Sequence, residues 1–317
     1  MELALTSEQV THSRRRLATL GVLGGSFLAA IETTVVAAAM PTVADQLGGL
    51  PYYSWVFSAY LLTSTVSIPL WGKLSDLYGR RRFYLWSIAL FLLGSVLSGA
   101  AQTMPQLIVF RALQGVGAGG LLPLGMSVLA DIYTLEERGR MQGLLSGVWG
   151  VASLIGPVTG GYITEWFSWR WVFYLNVPFG ALTAVAVAAA LSDRRGHGRH
   201  RVDYAGAALL TASVTLLILA LSRSGLDTGS DRAVWLMPAY LGAVVCAVLL
   251  VRVERQAPEP MIPVDLLADK MVAAIAGTGL LVGFGTPVVV CGLILVAWGG
   301  GRGSRGASGM SPRKLGY

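Results

Sequence analysis

The sequence is poor in charge. Only 13% of its 317 residues are Asp, Glu, Lys or Arg, where a soluble globular domain carries about 25%. With 54% of the chain hydrophobic, that shortage excludes both an ordinary water-soluble domain and a disordered one. Cysteine is scarce as well. Cys246 and Cys291 both sit in apolar stretches, where a free thiol behaves as a small hydrophobe, which argues against a disulfide framework and against a cysteine-based metal site. The three histidines, His12, His197 and His200, all lie in charged, loop-like sequence. His197 and His200 read as part of a solvated basic loop rather than as metal ligands. No cluster of His, Cys or carboxylates has catalytic spacing, so neither an enzyme nor a bound metal or cofactor is expected.

What the sequence has instead is glycine, 40 of 317 residues, nearly twice the usual share of about 7%. It also has long uncharged apolar runs and a mean hydropathy of +0.62. Together these describe a polytopic membrane protein. One run covers 17–31 and continues past Glu32 to residue 40; others cover 51–71, 83–110 with 112–130, 141–164, 171–191, 204–222, 233–251 and 271–298. The long third run breaks at Gln102-Thr103-Met104-Pro105, a turn signal, leaving spans at 83–101 and 106–130. Nine helical spans result. Arg14-Arg15-Arg16 precedes the first run in the manner of a signal peptide, but the apolar stretch continues without a convincing cleavage site.

The net charge of +7 could suggest a nucleic-acid surface, but its placement argues otherwise. With the N-terminus inside, sixteen of the 24 Lys and Arg fall on the cytoplasmic side and three in outer loops. This is the positive-inside pattern of a membrane protein. Nine spans would put the Gly- and Arg-rich tail outside, on the wrong side for its four positive charges.

Two charges interrupt the spans, Glu32 and Arg111. An ionisable group at membrane depth is costly unless it faces a partner or a cavity, which makes each a functional candidate. A carboxyl held there can take up and release a proton; the plainer reading is a carboxylate that pairs with Arg111 or hydrogen-bonds within the bundle. Arg111 opens the segment RALQGVGAGG, which joins a cation, the Gln114 amide and a small-residue pair, Gly115 and Gly119. Such a pair lets a neighbouring helix come close. Between spans two and three runs GKLSDLYGRRR, from Gly72 to Arg82, read as a loop. In it Gly72 and Gly79 would allow tight turns and Asp76 would cap the next helix.

These segments carry a resemblance. The 72–82 stretch resembles the signature loop of the major facilitator superfamily, and 111–120 resembles that family's fourth-span motif. The fifth span, with Gly143, Ala152, Gly156, Pro157, Gly160 and Gly161, is similar to the antiporter motif, Ala152 standing in one glycine slot. ETTVVAAAMP, from Glu32, is similar to the first-span motif of fourteen-span drug:proton antiporters, with Glu where Asp is usual. WRWVFYLNVP, from Trp169, resembles the start of span six in that subfamily.

The resemblance implies an all-α exporter of drugs or other hydrophobic or cationic molecules in the cell membrane. It would work by alternating access, driven by the proton gradient without a cofactor. Its partners would be the bilayer, the small-molecule substrate and protons, with no nucleic acid and with association to other membrane proteins left open. Glu32, Arg111 and Gln114 would couple proton and substrate. Gly72, Asp76, Gly79, Arg80 and Arg81 would belong to a cytoplasmic gate, Asp131 being a partner for Arg80, and Gly156 and Pro157 would shape a hinge. The implied organisation is a cytoplasmic N-terminus (1–16), a six-span bundle (17–191), a loop (192–203), two extra central spans (204–251), a loop (252–270), the first span of a second bundle (271–298) and an aberrant tail (299–317). The likeness extends over about 15–285. Five spans of the family pattern are absent, and no acidic residue follows Asp269. The expectation is an exporter lineage whose reading frame ends early by frameshift, truncation or sequencing error, the other reading being a membrane fragment or assembly partner that moves no solute.

Overall fold

A computed structural model describes residues 12–191, 204–224 and 232–256, with single helical positions at 272, 274, 277 and 278. Nine α-helices are described: α1 (His12–Leu47), α2 (Tyr53–Tyr78), α3 (Arg80–Ala100), α4 (Met104–Ile132), α5 (Leu135–Trp166), α6 (Arg170–Tyr174), α7 (Asn176–Ala190), α8 (Tyr204–Ser224) and α9 (Arg232–Gln256). A short 3₁₀ turn, Leu50–Tyr52, precedes α2. No strand occurs among the described residues. The protein is an all-α polytopic membrane protein.

Several helices run past the apolar runs, because polar residues at a membrane surface continue the hydrogen-bond ladder at no desolvation cost. His12 therefore opens α1 instead of lying in a loop, and α5 begins at Leu135, not near residue 141. The turn expected at 102–105 is there: Thr103 caps α4 by accepting from the Gln106 amide, and Pro105 sits in the first turn. The sixth span is two pieces, α6 and α7. Leu175 between them keeps helical backbone angles (φ −55°, ψ −32°), and Pro178 supplies the reason for the gap, since it has no N–H to offer the Tyr174 carbonyl. Four helices, α1, α3, α4 and α5, and the α6–α7 pair are each long and apolar enough to cross a membrane. The expected second span is not among them. Seven Ser and Thr lower the apolar content of α2, and Thr63, Ser67 and Trp71 spend their donors on α4 carbonyls (2.7, 3.1 and 2.6 Å).

Contacts are densest between α2 and α4, α3 and α4, and α1 and α5, with α8 and α9 forming a hairpin that touches α2. Two apolar clusters result. One joins Val35, Val36, Met40, Leu107, Trp169 and Phe173; the other joins Val22, Leu28, Ile88, Phe91, Leu121 and Val187. On α4 the buried polar residues Arg111 and Gln114 stand between the two clusters. The expected ninth span and the tail lie outside the described residues, apart from the four single positions.

Candidate functional site

The polar layer is built from four helices. α1 brings Glu32, α4 brings Arg111 and Gln114, α7 brings Asn176 and α3 brings Ser95. Glu32 and Arg111 are each 1% exposed and form an ion pair between Arg111 Nη1 and Glu32 Oε1. Asn176 Nδ2 donates to the other carboxylate oxygen, and also to Ser95 Oγ at 2.9 Å. The Ser95 hydroxyl donates onward to the Phe173 carbonyl (2.8 Å). Arg111 Nη1 also donates to Gln114 Oε1 (2.8 Å), and the guanidinium lies over the Tyr60 ring, 4.2 Å from its centroid. A buried charge lacking a partner costs several kcal/mol, so this one has been given a counter-ion, an amide and a ring. The site thus unites Glu32, Arg111 and Gln114, the three candidate coupling residues. The pairing with Arg111, one of the two readings of Glu32, is the arrangement observed.

Ser95 and Tyr60 escaped the sequence reading, and Asn176 entered it only within the WRWVFYLNVP stretch, without a role. Uncharged polar side chains are common in membrane helices and carry no signal of their own. Asn176 did leave a trace, as a lone amide in an apolar run just before Pro178.

At the end of the bundle where α2 meets α3, the expected loop at 72–82 shrinks to one residue. Gly79, with φ 106°, is the break, a backbone angle that favours glycine. Gly72 lies inside α2 and makes no turn, because the helix continues to Tyr78. Asp76 does not cap α3. It stands one turn before Arg80 on a nearly continuous helical path and pairs with it at 3.6 Å. Arg80 also reaches Asp131 (2.5 Å) and the Ser127 carbonyl (2.5 Å) on α4. Of the gate candidates, then, Asp76, Arg80 and Asp131 come together. Arg81 points elsewhere, lining a groove with Arg82, Leu85, Trp86 and Ala89.

The fifth-span motif divides by face. Ala152, Gly156 and Gly160, four residues apart, are buried; a methyl group on Gly156 would strike the Thr34 hydroxyl, and one on Gly160 would stand 2.7 Å from the Val35 carbonyl. Both neighbours belong to α1, within three residues of Glu32. Gly143 and Pro157 are exposed and Gly161 has open space around it, so they do not join that contact. α5 passes through Pro157 as one helix. In α4, Gly115 and Gly119 admit α2, whose Tyr60 and Ser64 carbonyls stand where side chains would be, while Gly117 and Gly120 admit α3 at Phe91 and Ser87.

The model of the Major Facilitator Superfamily matches residues 22–308. The chain belongs to this superfamily. The match runs beyond residue 285, so the family pattern extends further into the C-terminal part than the sequence reading put it. Among curated members of the superfamily, the chain is 38% identical over 254 residues to Multidrug resistance protein 3 of Bacillus subtilis (strain 168), covering 80% of this chain and 49% of that protein. It is likewise 38% identical over 265 residues to Multidrug transporter protein MdtP of the same organism, covering 83% and 49%. The chain thus spans about half the length of the curated relatives it matches. A solved superfamily structure, a proton:xylose symporter, superposes with a TM-score of 0.51 at 14% identity over 75% of this chain and 52% of that one. An auto-inhibited peptide transporter of the POT family gives 0.51 at 15% identity, over 75% and 51%. At that identity the likeness concerns the fold.

Proposed function

We propose that this chain carries the proton-coupling bundle of an antiporter that exports hydrophobic or cationic small molecules by alternating access. It would lie in the cell membrane with its N-terminus in the cytoplasm, powered by the proton gradient. The observation behind this reading is the burial of Glu32 between Arg111 and Asn176, with both carboxylate oxygens engaged. A proton arriving on Glu32 cancels its charge and leaves Arg111 as an unbalanced buried cation, held by Gln114 and the faces of Tyr60 and Phe173. That state is costly in this geometry, so it favours rearrangement of α1 against α4. Because both oxygens are occupied, a cationic substrate would have to displace Arg111 or Asn176 to reach the carboxylate. A proton needs no such displacement, which supports a proton site over a substrate site at Glu32.

Asp76, Arg80 and Asp131, flanked by Gly72, Gly79 and Arg81, would form the cytoplasmic gate. Ala152, Gly156 and Gly160 would let α5 shift along α1, with Gly143, Pro157 and Gly161 lying off that contact. The similarity to proteins named for multidrug resistance and transport supports the substrate class.

Efflux from vesicles, with and without an imposed proton gradient, tests this reading. The wild type is expected to export a lipophilic cation uphill only with the gradient, and Glu32→Gln to lose uphill export. Unchanged gradient-driven efflux in Glu32→Gln would remove the residue from the mechanism. Absence of gradient-dependent export by the wild type would assign the chain to a membrane component that moves no solute.

A further inference from the structure

A second basic centre stands apart from the buried pair, at the end of the bundle where α1 and α5 begin. Arg15 pairs with Glu137 and lays its guanidinium over the Tyr133 ring, 4.1 Å from the centroid. The Tyr133 hydroxyl shares a hydrogen bond with Thr19 (2.7 Å), and Glu137 is fixed by a capping box with Thr134. Around this scaffold Arg15, Arg16, Tyr133, Glu137, Arg140 and Met141 line a cleft of about 250 Å³. Three guanidiniums oppose a single carboxylate, an excess of two positive charges. Arg16 and Arg140 are exposed, and neither pairs with an acid among the described residues. Arg15 Nε is buried and has no acceptor there.

Each feature suits one kind of ligand. A guanidinium fork matches the oxygens of a phosphate, and a buried donor in need of an acceptor is satisfied by an anion. The cleft also lies where two apolar spans, Arg14–Leu47 and Leu135–Trp166, both start, which is headgroup depth. Next to it and sharing Met141 is a groove of about 380 Å³ in which Met126, Leu129 and Ala130 offer apolar surface to an acyl chain beside Ser127, Arg138 and Gln142. We propose that this cleft binds the phosphate of a phosphate ester, presented there by the headgroup of an anionic phospholipid. The phosphate bridges Arg16 on α1 to Arg140 on α5 and accepts from Arg15, adding a second tie between helices already joined by Arg15 and Glu137. Basic pockets between membrane helices hold anionic headgroups by this chemistry. Binding requires no transport by the chain, so it stands or falls separately from the exporter reading.

Native mass spectrometry of the purified full chain tests the site. The wild type is expected to retain phosphatidylglycerol in preference to phosphatidylcholine. The surface variant Arg16→Gln/Arg140→Gln should lose about thirtyfold in phosphatidylglycerol affinity, the joint effect of two surface arginines on an anionic headgroup. Arg252→Gln/Arg255→Gln, which removes the same charge from α9, should lose little, and Arg16→Lys/Arg140→Lys should retain part of the affinity. Inorganic phosphate, titrated without lipid, separates the sources. Saturable phosphate binding that is lost in the Arg16/Arg140 variant, without lipid enrichment, would assign the site to a soluble phosphate and overturn the lipid source. Equal lipid loss in the two glutamine variants would overturn the site itself.

Discussion

Glu32 and Arg111 hold each other in place, and the consequence of separating them is asymmetric. Arg111→Met leaves a carboxylate inside the bundle with only Asn176 for company, and a loss of about 3–5 kcal/mol is expected. Glu32→Gln/Arg111→Gln, which removes both charges, should restore most of that loss in thermal unfolding of the detergent-solubilised protein. If the double variant unfolds as early as Arg111→Met, the pair is not the source of the penalty. Asn176→Leu should cost about 1–3 kcal/mol, because it deprives both Glu32 and Ser95 of a donor within the bundle. Asn176→Asp should be worse, since it faces one carboxylate with another. The Arg80 cluster behaves differently. Asp76 and Asp131 have more than half of their side-chain surface in contact with solvent (62% and 56%), so Arg80→Gln should shift stability by less than about 1 kcal/mol. A larger loss would show that the cluster serves packing and not gating.

Between helices, small residues decide how near two backbones come. Gly117 sits where the Phe91 backbone would meet any side chain, so Gly117→Val is expected to cost about 1–3 kcal/mol and to splay α3 from α4. Gly147→Val on α5, where no atom lies within 4 Å of the missing methyl, is the matched control and should be nearly neutral. Denaturant titration of the two variants compares them directly. The glycines of α4 were legible as a packing motif because they recur at short spacing in an apolar run. Their division between two partners was not, because the sequence does not say which helix lies on which side. Glu32 and Arg111 were legible for a different reason: a charge among apolar residues is visible in one dimension. Asn176 needed the third, since only the fold brings its amide to a carboxylate 144 positions away. The failed reading of Asp76 as a cap has a simple cause. A polar, glycine-bearing stretch looks like a loop, yet at a membrane surface the helix can continue through it until a positive φ at Gly79 ends it.

For the molecule as a whole, the described bundle has one charged layer with apolar packing on either side. Helices α1 to α7 fall where the first six spans were expected, five of those six being long and apolar enough to cross a membrane. Neighbours in space are not always neighbours along the chain, since α4 packs on α2 and α5 on α1. The α8–α9 hairpin falls where two further spans were expected, and its contact with α2, made through α8, was not legible in the sequence. The layered arrangement has an electrical consequence. Paired, Glu32 and Arg111 carry no net charge, so a membrane voltage does almost no work on the resting bundle. Once protonated, the same layer would carry a whole elementary charge, which senses a share of the about 2.3 kcal/mol per 100 mV that a charge crossing the entire field would experience. A transient current recorded on a pH jump across a supported bilayer should therefore be present in the wild type and absent in Glu32→Gln. On the proton site proposed for Glu32, it is the proton that would let the voltage take hold.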